Sequence, residues 1–234
     1  MRILRLAAAL SAACVLAGST GAAVAVAQPG CPDLQGVVGH DQICRVHVQN
    51  PTYTLDLSFP NDYPDQQSLV AYLTQSRDGF VNVAQDSDAY NLPYEMDAEG
   101  TGYRSGSDTP GGGTRSVVFT MWQNVGGARP QTYYQAFNWN VAAKAPITFD
   151  TLFKPGTRPL DVIYPEVNRY LEKDQGLIDP LPQTAGLDAA NYQNFALTDD
   201  SLIFFFSQGG MFAESAGPVQ ASVPRAAVAP MLAL

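Results

Sequence analysis

Histidine is nearly missing from this chain: His40 and His47 are the only two in 234 residues. Any step that needs an imidazole base falls on one of them. Basic residues are few, 13 against 22 acidic, for a formal charge of −9. An acidic chain is repelled by nucleic acid and by anionic headgroups, so no nucleic-acid partner is expected. The G-x-S-x-G nucleophile elbow and the G-K-[ST] of a phosphate loop are both absent. Gly100, Gly102 and Gly106 miss the dinucleotide spacing because Ser105 occupies the last position, and no cofactor is expected. There is no His-x-x-x-His and no series of oxygen ligands. Asp199-Asp200 precedes a serine as turn residues do, so no metal is expected either.

Long apolar runs are also lacking, except at the start. Arg2 and Arg5 precede an apolar stretch from Leu6 to Ala17, and Ala25-Val26-Ala27 has the small-x-small form of a cleavage site. Residues 1–27 are expected to be a Sec-type signal peptide, leaving 28–234 as a single secreted domain without a transmembrane segment. Cys14 lies inside the apolar stretch, after a poor match to a lipid-attachment signal, and would be discarded with it. Cys31 and Cys44 then remain, and an exported pair of this kind is expected to form a disulfide. Their spacing is far from Cys-x-x-Cys, which sets aside a redox or metal pair.

What is present is alternation. Asn191 to Phe206 reads as two strands around the Asp199-Asp200-Ser201 turn, and Ile203-Phe204-Phe205-Phe206 is apolar on both faces, as a central buried strand requires. The rest of the domain is expected to pack around it. Cys44, Val46 and Val48 alternate with Arg45, His47 and Gln49; Tyr53, Leu55, Leu57 and Phe59 alternate with Thr52, Thr54, Asp56 and Ser58. That predicts a hairpin with one apolar and one polar face. Asp65 to Gln85 repeats at helical spacing through Leu69, Leu73, Ser76, Phe80 and Val83. Glu99 to Gly113 is polar and glycine-rich and is expected to be a flexible hairpin loop. Strands are expected over 116–123, 131–140 and 217–223, and an amphipathic helix over 160–173. Tyr133, Phe137 and Trp139 share one face; such density reads first as core, and as a sugar-stacking platform only if exposed.

Several strings together carry a resemblance. They are Tyr63-Pro64-Asp65-Gln66, Pro146 to Phe153, Gly186-Leu187-Asp188 with Asn191 to Ala196, Ile203 to Phe206, and Gly217-Pro218-Val219-Gln220 with Val223-Pro224-Arg225. With the Cys31 and Cys44 spacing, they resemble the mycobacterial secreted immunogenic antigen family over essentially the whole mature chain. The C-terminal half, about 145–234, is similar to the extracellular domain of RsiV anti-sigma factors, which bind lysozyme. The resemblance implies an α+β protein, mainly antiparallel sheet with a long packed helix in a β-grasp-like arrangement. Some relatives are described as esterases.

Two functional classes follow. The first is an extracellular or cell-envelope interaction protein, a monomer binding a host or envelope protein or glycan. It calls for exposed aromatics near Tyr103, Tyr133, Tyr134 or Met211-Phe212. The alternative is a secreted carboxylic-ester hydrolase. Its candidates are Ser207, which leaves the buried strand into Gln208-Gly209-Gly210, and His47 on the polar face of the first hairpin. That pair would have to meet within hydrogen-bond reach in a cleft.

Overall fold

The computed structural model describes residues 30–106, 111–126, 129–174, 176 and 181–234. The expected signal peptide and Cys14 lie outside them. The first strands are β1 (Val37–Val38), β2 (Ile43–Gln49) and β3 (Tyr53–Pro60). Helix α1 (Gln66–Ala84) follows, then β4 (Tyr94–Ser105), β5 (Thr114–Asn124), β6 (Gln131–Asn140) and β7 (Ala145–Pro146). They form one seven-stranded sheet in chain order. Every neighbouring pair is antiparallel except β3 and β4, which run parallel because α1 carries the chain back across the sheet.

The alternation of β2 and β3 does what period-two patterning requires. Val46, Leu55, Leu57 and Phe59 are buried, while Arg45, His47 and Gln49 are exposed. Helix α1 begins where the Asp65 carboxylate accepts the Ser68 amide at 3.2 Å, satisfying one of the free donors of the first turn. Leu69, Leu73 and Phe80 are buried against the sheet. The stripe departs from expectation at its end. Val83 is 50% exposed, and Ala84 is buried in its place, because one flank of α1 overhangs an open groove instead of a strand. Cys31 and Cys44 are joined as a buried disulfide behind β2.

The glycine-rich passage is not the expected loop. Much of it is the second half of β4, a twelve-residue strand paired with β5 as far as Ser105 opposite Thr114. Gly100 belongs there for packing: a Cβ on it would come within 2.9 Å of the Phe119 ring and 3.0 Å of the Phe59 Cβ.

The second region has its own layers. Helices α2 (Phe149–Leu152), α3 (Leu160–Asp174) and α4 (Gln183–Gly186) precede β8 (Phe195–Leu197), β9 (Ser201–Phe206) and β10 (Val219–Pro224), and α5 (Arg225–Val228) closes the chain. Strand β9 is central, flanked antiparallel by β8 and β10. Ile163, Val167 and Leu171 of α3 join Phe204, Phe206, Ala221 and Val223 in a separate core. The buried strand is thus central to a small sheet, and residues 31–139 build a core of their own, while Ile147 already belongs to the second one. The fold is α+β with a large, mainly antiparallel sheet. Among the described residues no helix is long and apolar enough to cross a membrane.

Candidate functional site

The small sheet lies against the outer face of the large one, opposite α1, near β5 and β6. Phe205 and Ala196 meet Val118, with Tyr103, Tyr134, Ala136 and Ile203 around them. Strand β6 pairs with β7 only at Trp139 and Asn140, so the rest of its outer backbone edge needs partners. Side chains of the second region supply them. Asn194 Oδ1 accepts the Ala136 amide at 2.9 Å, and its Nδ2 donates to the Tyr134 carbonyl at 3.0 Å. Gln208 exchanges hydrogen bonds with both backbone groups of Thr132. Ser207 Oγ accepts the Tyr134 amide at 3.0 Å.

Ser207 therefore emerges from the buried strand as anticipated, but onto the β6 edge and not into a catalytic cleft. His47 sits on β2, four strands away, roughly 19 Å along the sheet at the usual interstrand spacing. The two are not brought together, and the expected Ser207–His47 pairing is corrected on that ground. The rigid sheet between them admits no closure.

His47 has other company. Its Nδ1 lies 2.7 Å from Asp56 Oδ1, the residue directly opposite on β3. A carboxylate can only accept, so Nδ1 carries the hydrogen and Nε2 is left as the acceptor in the neutral ring. Ser58 lies on the same face, directly opposite Arg45 and diagonal to His47; diagonal neighbours stand about 7 Å apart, within the span of a ring side chain. Arg45 is tied by a two-pronged ion pair to Asp41, and that guanidinium holds the Asp41 carboxyl down at about 2. Asp97 is opposite Asp56 on β4. Partial burial and then the charges of Asp56 and Glu99 push its carboxyl above the ordinary value. The patch is an imidazole oriented by a carboxylate, with a hydroxyl and the Arg45–Asp41 ion pair beside it, on the part of the outer face the small sheet leaves open.

The aromatic candidates for a docking surface are mostly spent on internal packing. Tyr103 and Tyr134 both pack on Phe205, and Phe212 packs edge-on against Phe206. Tyr133 is the exception, lining the groove beside α1. Alternation alone does not single out Asp56 among the polar residues of β3. Its signal was available, because pairing across the Asn50-Pro51 turn sets His47 against Asp56 once Gln49 is matched to Thr54.

Residues 150–226 match a family described as a protein of unknown function, DUF3298. Over 205 residues the chain is 54% identical to "Esterase Rv3036c" of Mycobacterium tuberculosis, covering 88% of this chain and 89% of that protein. It is 42% identical over 224 residues to "Immunogenic protein MPT64" of the same species, with coverage of 96% and 97%. A solved DUF3298 family protein from Pseudomonas aeruginosa PAO1 superposes with a TM-score of 0.54 at 12% identity, covering 85% of this chain and 96% of its own. A DUF3298 member from Bacteroides fragilis gives 0.52 at 13%, covering 82% and 93%. Those two share the fold alone.

Proposed function

The chain belongs to the family of immunogenic protein MPT64 and esterase Rv3036c, and from that premise we propose that it is a secreted, monomeric carboxylic-ester hydrolase whose general base is His47. The His47–Asp56 contact of 2.7 Å carries this reading; the 54% identity to a protein named an esterase supports it. Asp56 holds the imidazole with Nε2 free to take a proton, the arrangement a hydrolase needs. The proton comes from the Ser58 hydroxyl as its oxygen attacks the ester carbon, and passes to the departing alcohol as the acyl bond breaks. Water then releases the acid by the same route reversed.

The test is hydrolysis of short- and long-chain p-nitrophenyl esters by the purified mature chain. His47→Ala should lower kcat by about 10²- to 10⁴-fold, the range of a general base. Asp56→Asn should lower it while leaving KM nearly unchanged. Ser207→Ala should keep the wild-type rate. A His47→Ala variant as active as the parent would sink the assignment.

A second reading, interaction with a host or cell-envelope component, keeps the support of one feature, the uncharged groove between α1 and the sheet. The likeness of residues 145–234 to the RsiV extracellular domain belongs with that reading.

A further inference from the structure

A groove of about 550 Å³ runs between the flank of α1 and the far ends of β5 and β6. It is within the size range of small-ligand sites. It opens on the α1 face of the large sheet, opposite the face that carries His47. Its polar lining is Tyr72, Gln75 and Ser76 of the helix with Gln123, Tyr133 and Gln135 of the strands, and Phe80, Val83 and Val125 line the rest. Among the described lining residues none carries a charge, although the chain as a whole holds 35 charged residues counted as 13 basic and 22 acidic.

Gly79 is the residue that packing does not explain. It sits inside a nineteen-residue helix, where glycine costs roughly 1 kcal/mol against alanine. A Cβ built there meets nothing within 4 Å, so no neighbour demands its absence. The open space beyond it is the groove itself. The walls are held in place as well. Gln123 Nε2 donates to the Tyr133 hydroxyl at 3.1 Å, and the Tyr72 ring packs edge-on against Phe137 at 5.6 Å.

We propose that this groove binds neutral oligosaccharides. Gln75 and the amide oxygens of Gln123 and Gln135 offer partners to sugar hydroxyls, the Nε2 groups of Gln123 and Gln135 being held by the Tyr133 hydroxyl and the Ala136 carbonyl, and the Tyr133 ring offers a face to the apolar face of a pyranose ring. An acyl chain would match Phe80, Val83 and Val125 but would strip water from the open amide oxygens without returning a hydrogen bond. An ionic ligand would find no counter-charge.

The experiment is retention of the labelled full mature chain on an immobilised array of neutral, carboxylated and sulfated oligosaccharides, with Gly79→Trp, Tyr133→Ala and Gly79→Ala alongside. Wild type should be retained on neutral sugars only. Gly79→Trp, which fills the groove, and Tyr133→Ala, which removes a wall, should each weaken retention at least tenfold, while Gly79→Ala retains binding. No retention on neutral sugars, retention on charged sugars alone, or retention indifferent to both Gly79→Trp and Tyr133→Ala would overturn the proposal. The readout is retention and not turnover, and the groove and His47 lie on opposite faces, so failure of the hydrolase reading and failure of this one are separately visible.

Discussion

Residues 30–146 close their core between seven strands and one long helix, with a disulfide behind the first hairpin. Residues 147–234 close theirs with three short strands and aromatic rings. Phe149, Tyr192 and Phe204 are in mutual ring contact, Phe195 adds to Phe204, and Phe206 adds to Tyr192. No cysteine falls in the second region. The first region spreads its stability over a broad hydrogen-bonded ladder and a covalent link, while the second concentrates it in a few large side chains. Between them lies a thin apolar contact of Val118, Ala196 and Phe205 and a row of side-chain hydrogen bonds onto β6. The lesson is that the two regions are separate packing problems, joined by polar geometry.

Four perturbations should break or sharpen that contrast. The largest is Phe204→Ala. A fully buried ring at the centre of the aromatic cluster should cost about 3–5 kcal/mol. Hydrogen exchange should rise first in β8–β10 while β2–β5 stay protected; equal loss of protection everywhere would mean one cooperative core. Next, replacing Cys31 and Cys44 together by serine should cost roughly 3 kcal/mol in denaturant unfolding, from the unfolded-chain entropy that the closed loop removes. Its effect should be centred on the 3-10 turn at Cys31–Leu34 and on β2. Third, Asn194→Ala strips partners from two backbone groups of β6. It should cost about 1–3 kcal/mol and loosen the junction while both cores persist, seen as faster exchange at Tyr134 and Ala136.

The fourth effect is nil below about pH 10. Burial, with Tyr133 next to it, pushes the Tyr72 phenol up to about 12. Burial raises Tyr63 in the first region and Tyr192 in the second still further. A raised phenol pKa means the folded state keeps a proton the unfolded chain releases. The stabilisation is therefore whole below the unfolded value near 10, and is lost as pH climbs through the folded one. Thermal melts should be flat into the high nines and fall steeply between 10 and 12, in both regions. A fall confined to Tyr72→Phe-sensitive signals would place the alkaline weakness in the first region alone.

Local pattern made much of this legible. Alternation read β2, β3 and β6, which set one face against a core, the apolar runs read β5 and β9, which are buried on both, and the 3.6 period read α1 and α3. The long β4 was hidden because Gly100 and Gly102 carry loop composition into a strand, where Phe59 and Phe119 crowd Gly100. The division into two sheets was hidden too, since nothing near β9 says that it stops at three strands. At the site, His47 stood out by scarcity and Asp56 could be reached by counting across a turn. Ser207 misled. A serine leaving a buried strand into glycines looks the same whether it meets a substrate or, as here, the Tyr134 amide some seventy residues earlier in the chain, and only the tertiary fold distinguishes them.

The capping of β6 by Asn194, Ser207 and Gln208 also sets an order in time. In a chain that emerges from its N-terminus, all seven strands of the large sheet are present before those three residues have arrived. Until they dock, β6 presents bare amides and carbonyls, a template onto which any extended segment can add. The last-made part of the protein is thus the guard on the earlier part. A copy truncated before Asn194 should be lost to self-association through that edge even with its disulfide and main helix complete.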